Sequence, residues 1–319
     1  MDILNEILEA EKRIRPYILK TPLFPSLHLS KMTGANVFLK LESEQYTGSF
    51  KARGSLNKIL SLTEEERANG VITASTGNHG LGVARAMSIT HTNGLICLPR
   101  SASPVKVDAI REYNVPIEFF DGSAIDSELI PFAKGIAKEK NLTWIAPYND
   151  PQIIGGQGTI AIEMFDQLDN IDYVLVTIGG GGLISGIATY LKAKNPHTKI
   201  IGCLPENSPE MYLSIKENKF IVIDPPKESL SDGSAGGFEE GSITYELCKE
   251  LVHNYILISE EEIKEAIKLM VDHHHKIVEG AAGVAIASLI KNKDMFVGKN
   301  VAVVVCGANI PTEKLKQII

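Results

Sequence analysis

Val71-Ile72-Thr73-Ala74-Ser75-Thr76-Gly77-Asn78-His79-Gly80 passes from a short apolar run into a glycine turn and then into a stretch with helical spacing. The run reads as a buried strand, and the turn reads as the start of a helix. The pattern recurs downstream, with strands expected at 94–98, 117–120 and 143–146 and helices at about 79–90, 104–113 and 124–140. Such alternation is the signature of a parallel sheet covered by helices on both faces.

A second series surrounds the first. A helix at 3–18 and a strand at 37–42 precede it; a helix at 157–168, a strand at 173–178, a helix to about 194 and a strand at 199–204 follow. Beyond a loop-rich segment at 218–242 come helices at 259–275 and 281–291 and a last strand at 301–305. The expected fold is α/β, with two open, mostly parallel twisted sheets. Its expected organisation is a large discontinuous domain of residues 1–60 and 148–319, with a small mobile domain of residues 70–147 inserted.

At 319 residues the chain suits one large or two closely packed domains. Its content of 44% hydrophobic and 22% charged residues is ordinary for a globular protein. No apolar run approaches the ~18 residues of a membrane span, and the N-terminus has no signal pattern. A net charge of -7 argues against nucleic acid or an anionic membrane as partner, while leaving room for a local pocket that takes a small anion. Cys97, Cys203, Cys248 and Cys306 form no CxxC pair, which points to reduced thiols, a cytoplasmic protein and no zinc.

Four stretches could carry chemistry. Ser75, Thr76, Gly77, Asn78 and His79 lie at the C-terminal end of a strand, where open α/β sheets bind ligands, and their amides and hydroxyls suit a carboxylate. Gly179-Gly180-Gly181-Gly182-Leu183 follows a strand and opens a helix, so its backbone amides can wrap a phosphate. It matches neither a dinucleotide fingerprint nor a P-loop. Cys306-Gly307-Ala308-Asn309 ends the last strand, where the thiol could meet a ring nitrogen. The fourth stretch is Thr47-Gly48-Ser49-Phe50-Lys51-Ala52-Arg53-Gly54, a small-residue turn that starts a helix at its lysine. Taken alone Lys51 reads as a surface lysine; in a poorly solvated pocket it becomes a nucleophile. His273-His274-His275 reads as a solvated helix end, since adjacent positions point different ways round a helix. The 231–237 segment is a glycine-rich loop long enough to cover a site.

Together these stretches resemble the fold-type II pyridoxal-phosphate enzymes, within them the serine/threonine dehydratase and serine racemase branch, over nearly the full length. The 47–54 stretch looks like the family's Schiff-base lysine motif, 75–79 like its substrate-carboxylate loop, 155–159 (Gly-Gly-Gln-Gly-Thr) like its A-G-Q-G-T segment, and 179–182 like its phosphate loop. The resemblance implies a tryptophan-synthase-β-like fold and bound pyridoxal 5'-phosphate, with Lys51 as Schiff-base lysine and proton carrier. It further implies Phe50 against the ring, Asn78 at the 3-hydroxyl, Gly179 to Leu183 at the phosphate and Cys306 at the ring nitrogen. Ser75, Thr76, Gly77, Asn78 and His79 would hold the substrate.

The implied reaction is β-elimination of water and ammonia from serine, threonine or 3-hydroxyaspartate, the β-hydroxyl being protonated by the cofactor phosphate or Thr76. Thr76 stands where racemases of the family carry serine, which disfavours racemisation, but its hydroxyl remains and racemisation is kept as the alternative; a silent cofactor carrier is a remoter one. Leu204 replaces the first glutamate of the family's divalent-metal site, so no metal is expected there. A homodimer is expected from the resemblance alone. No regulatory domain follows Ile319 in this sequence, so feedback control is not expected.

Overall fold

The structure, a computed structural model, describes residues 2–75, 77–102, 104–122 and 126–319. Among these residues ten strands form two sheets. They are β1 (Leu23–Pro25), β2 (Asn36–Leu41), β3 (Val71–Ala74), β4 (Gly94–Pro99), β5 (Ile117–Phe120), β6 (Thr143–Trp144), β7 (Tyr173–Thr177), β8 (Lys199–Pro205), β9 (Asn254–Ile258) and β10 (Asn300–Val305). The larger sheet runs β1-β2-β10-β7-β8-β9, parallel except for β1, which pairs antiparallel with β2. The smaller sheet runs β5-β4-β3-β6 and is parallel throughout.

Central strands β3, β7 and β10 are buried on both faces, which is why they read as continuous apolar runs without alternation. The apolar helix Gly280–Lys291 crosses the larger sheet and is buried almost throughout. Side-chain caps start several helices: Asp2 accepts from Asn5 N–H, and Thr63 and Ser259 close capping boxes with Glu66 and Glu262.

Several expected boundaries move. The first helix ends at Ile14, and Pro16 turns the next residues into a 3-10 segment, Arg15–Tyr17. β6 has two residues rather than four. The helix expected at 157–168 begins at Pro151, with Asp150 accepting from the amides of Gln152 and Ile153. Its glycines serve close packing: a Cβ on Gly156 would come 2.6 Å from Gly54 Cα, and one on Gly158 would come 2.5 Å from Ile7. β1, β9 and the helix Glu210–Glu217 are additional to the expected elements. No helix among the described residues is long and apolar enough to cross a membrane.

Candidate active site

Lys51 is the first residue of the helix Lys51–Ser61, entered through a turn in which Gly48 has φ of 67°, a conformation that favours glycine. That turn is pinned to the end of β10: Phe50 N–H donates to the Cys306 carbonyl at 3.1 Å, and Ser49 bridges Gly307. Lys51 Nζ donates to the Pro147 carbonyl at 2.7 Å and stands 5.3 Å from the centre of the Phe50 ring. The helix Asn78–Thr90 lies against it so closely that a Cβ on Gly82 would be 3.0 Å from the Lys51 carbonyl.

Arg53, two residues beyond Lys51, is fully buried and grips two carboxylates. Its Nε donates to Glu42 at 2.7 Å and its Nη1 to Glu163 at 2.8 Å, while Lys40 Nζ reaches Glu163 at 2.6 Å. Burial opposes the Arg53 charge, but Glu42 and Glu163 outweigh it and hold the guanidinium protonated. Gly54 N–H adds a bond to Gln157 at 3.2 Å. The start of the lysine helix is thereby fixed from behind.

Residue 148 connects the lysine to the glycine turn. A Cβ on Gly180 would come 2.3 Å from the Tyr148 ring, and one on Gly179 would come 2.9 Å from Ser234 Cα. Gly181 has φ of 85° and caps the helix Gly182–Lys194, whose first-turn amides lack acceptors within the helix. Leu183 is buried behind the turn. The result is a cradle that larger residues would fill, at the positive end of a helix.

At the end of β3, Ser75 Oγ accepts the Gly77 N–H at 3.2 Å, and a Cβ on Gly77 would meet only open space. Thr76 lies outside the described residues. The His79 ring is buried and turned inward, with Nε2 3.0 Å from the Ile145 carbonyl. A carbonyl can only accept, so Nε2 carries the proton. Burial first, and then the Lys51 charge, push its pKa down to about 3, so the ring is neutral. The His79 side chain therefore offers no charge to a carboxylate, while the first-turn amides of the helix Asn78–Thr90 have no acceptor within the helix.

Asn78 and Cys306 meet around two residues that the motifs did not single out for a role. Asn78 Nδ2 lies 2.9 Å from both oxygens of Glu279, and Asn78 Oδ1 accepts from Asn309 Nδ2 at 2.6 Å. The Cys306 thiol is buried, and burial, then the nearby Glu279 charge, raise its pKa well above the usual thiol value. It is a neutral group, as a partner for an unprotonated ring nitrogen must be. Pro147, Tyr148 and Glu279 had no local signal; Asn309 stood within the quoted strand-end stretch. In the region of the family's metal site, Glu210 accepts from Ser208 at 2.6 Å and Glu206 faces Lys291 at 3.5 Å.

Residues 14–307 match the model of a family described as pyridoxal-phosphate dependent enzyme. The chain belongs to the pyridoxal-phosphate-dependent enzymes. An L-threonine ammonia-lyase of Thermotoga maritima is 38% identical over 319 residues, covering 100% of this chain and 78% of that one. Threonine deaminase isoform 2 from Solanum lycopersicum superposes with a TM-score of 0.93 at 33% identity, covering 99% of this chain and 91% of the other. Maize serine racemase gives 0.92 at 31% identity, covering 98% and 95%. These pyridoxal-phosphate enzymes need an amine for the cofactor carbonyl, an anion cradle and neutral partners for the ring edge. Lys51, the 179–182 turn and the Asn78 and Cys306 pair fit those three demands.

Proposed function

We propose that this pyridoxal-phosphate-dependent lyase removes water and ammonia from a β-hydroxy amino acid, L-threonine or L-serine before 3-hydroxyaspartate, giving the 2-oxo acid. The observation that carries the reading is a lysine amine in one crevice with a helix-capping glycine cradle, in a chain that aligns over its whole length with 78% of an L-threonine ammonia-lyase.

In this reading Lys51 would hold the cofactor carbonyl, Gly179 to Leu183 the phosphate, and Asn78 and Cys306 the ring edge, with Phe50 beside the ring. The bound cofactor supplies an electron sink for the pair left behind at Cα. Amides at the start of the helix Asn78–Thr90 and the Ser75 hydroxyl orient the substrate carboxylate. Once the substrate amine has displaced it from the cofactor carbonyl, the freed Lys51 amine would take the Cα proton. Thr76 is the proposed neighbour of the departing β-hydroxyl. Loss of that proton and that hydroxyl leaves an enamine, which water converts to the 2-oxo acid and ammonium.

Residues 70–147 are proposed to move as a unit against 1–60 and 148–319, shielding these steps from water. Support comes from the smaller sheet being drawn wholly from 71–144 and from the bridges that cross to it, Asn78 to Glu279 and Lys106 to Asp232 at 3.7 Å. A cytoplasmic homodimer is the proposed form, supported by four unpaired cysteines and by the exposed apolar side chains of Leu27 and Val297.

The likeness to maize serine racemase supports racemisation as the second reading. Both are tested by assaying 2-oxo acid release from L-serine, L-threonine, D-serine and the 3-hydroxyaspartate isomers with chiral analysis of the remaining substrate. Oxo acid should form fastest from L-threonine or L-serine. Inverted serine appearing faster than oxo acid would make the racemase reading the correct one.

A further inference from the structure

Glu279 has no role in the reaction described above, yet it occupies the meeting point of the two sheets. It is the N-cap residue of the helix Gly280–Lys291, its carbonyl accepting from Ala282 and Gly283 N–H, but its side chain makes no cap bond. Its buried carboxylate instead turns across the crevice, each oxygen 2.9 Å from Asn78 Nδ2, and Oε2 also accepts the Asn309 N–H at 3.2 Å. A Cβ on Gly307 would come 2.5 Å from Oε1, so the carboxylate lies directly over the residue that follows Cys306. The charges of Asp232 and Lys106 act on it, with Lys51 and Cys306 at the adjoining end of the site.

These bonds leave the Asn78 amide little freedom. Its oxygen is taken by Asn309 Nδ2, which also donates to the Thr47 carbonyl at 2.8 Å. An asparagine amide has two N–H bonds, and the carboxylate consumes one of them. The other is fixed in direction by the plane so defined.

We infer that Glu279 is a positioning residue: it sets the plane of the Asn78 amide and so aims its remaining N–H at the edge of the cofactor ring. The inference rests on the reading of Asn78 as a ring partner. A glutamine at 279 would offer one oxygen to two donors, Asn78 Nδ2 and Asn309 N–H, and would release one of them.

The test is a double-mutant cycle on the dissociation constant of pyridoxal 5'-phosphate, measured by titrating cofactor-stripped full-length protein. Glu279→Gln should weaken binding roughly ten- to hundredfold, the range for losing a hydrogen bond to a charged group. Asn78→Ala should weaken it too, and adding Glu279→Gln to Asn78→Ala should change nothing further. Glu279→Asp, which keeps the charge but withdraws the oxygens, should show the same dependence on Asn78, so the cycle can be closed with either variant. An equal loss from Glu279→Gln with and without Asn78 would overturn the inference, as would wild-type binding by that variant. If Asn78→Ala alone bound the cofactor as the wild type does, the ring-partner reading would fail and the inference with it.

Discussion

Glu163 and Glu279 are both buried glutamates near the lysine turn, and their environments drive them in opposite directions. Burial raises the Glu163 pKa, but Arg53 and then Lys40, by charge and by hydrogen bonds, reverse this and hold it at about 2. Burial raises Glu279 too, and there the Asn78 hydrogen bond offsets it only in part while Asp232 adds to it, leaving a pKa of about 7. One carboxylate is surrounded by cations and is permanently ionised. The other is served by neutral amides and keeps a proton exchangeable near neutrality. Fully paired charge of the first kind fixes a helix start; a perturbed acid of the second kind marks a functional crevice.

The largest effect that should separate the two comes from neutralising Glu163. Glu163→Gln leaves Arg53 and Lys40 with a buried charge deficit and should cost about 3–5 kcal/mol in denaturant unfolding. A loss below about 1 kcal/mol would mean that the clamp does not hold the lysine helix. Glu279→Gln should not behave this way, since it removes no partner of a cation.

A smaller effect is a change of pH dependence in the cofactor-free protein. Glu279 has a folded pKa above its unfolded value, so the native state binds the extra proton between about pH 4.5 and 7. Its stabilisation is present in full below that window and is lost as pH rises through about 7, roughly 3 kcal/mol in all. Glu163 has the opposite sign: its contribution is present above about pH 4.5 and is lost as pH falls towards about 2. Asp232, Lys106, Lys51 and Cys306 face Glu279 and are common to wild type and variant. His79 gives a slope of the opposite sign between about pH 3 and 6.5 in both proteins, so the difference between the wild-type and Glu279→Gln unfolding midpoints is what should fall as pH rises from about 4.5 through about 7 and stay flat below. An unchanged slope above pH 4.5 would place the exchangeable proton elsewhere.

The two carboxylates also mark where sequence reading reaches its limit. The lysine turn, the glycine turn and the Cys306 strand end were legible because each is local: a turn, a cap or a run of glycines carries its own physical signature. The partners of Glu163 and Glu279 are not local. Arg53 is 110 residues from Glu163 and Asn78 is 201 from Glu279, so no spacing rule joins them. Before a glycine and an apolar helix, Glu279 looks like a helix-start acid, and only the packing shows it turned away. His79 is a similar case, because its turn predicts a ligand-facing residue and the buried Ile145 carbonyl captures the ring. The helix that starts at Pro151 is hidden in the sequence by Gly155 and Gly156, which lower helix propensity there; contact with Glu6 and Gly54 is what requires them. Strand β9 carries an apolar run, Tyr255 to Ile258, much like that of β7, but lies at the sheet edge and is only partly buried where β7 is buried throughout.

The central claim is that Lys51 holds the cofactor at the meeting of the three strand ends. Borohydride reduction of the cofactor-loaded protein makes the cofactor–lysine bond permanent, and peptide mass spectrometry then finds the modified residue. The account predicts the added mass on the peptide containing Lys51 and its disappearance in Lys51→Ala. Modification of another lysine, or none in a protein that still releases 2-oxo acid, would contradict it.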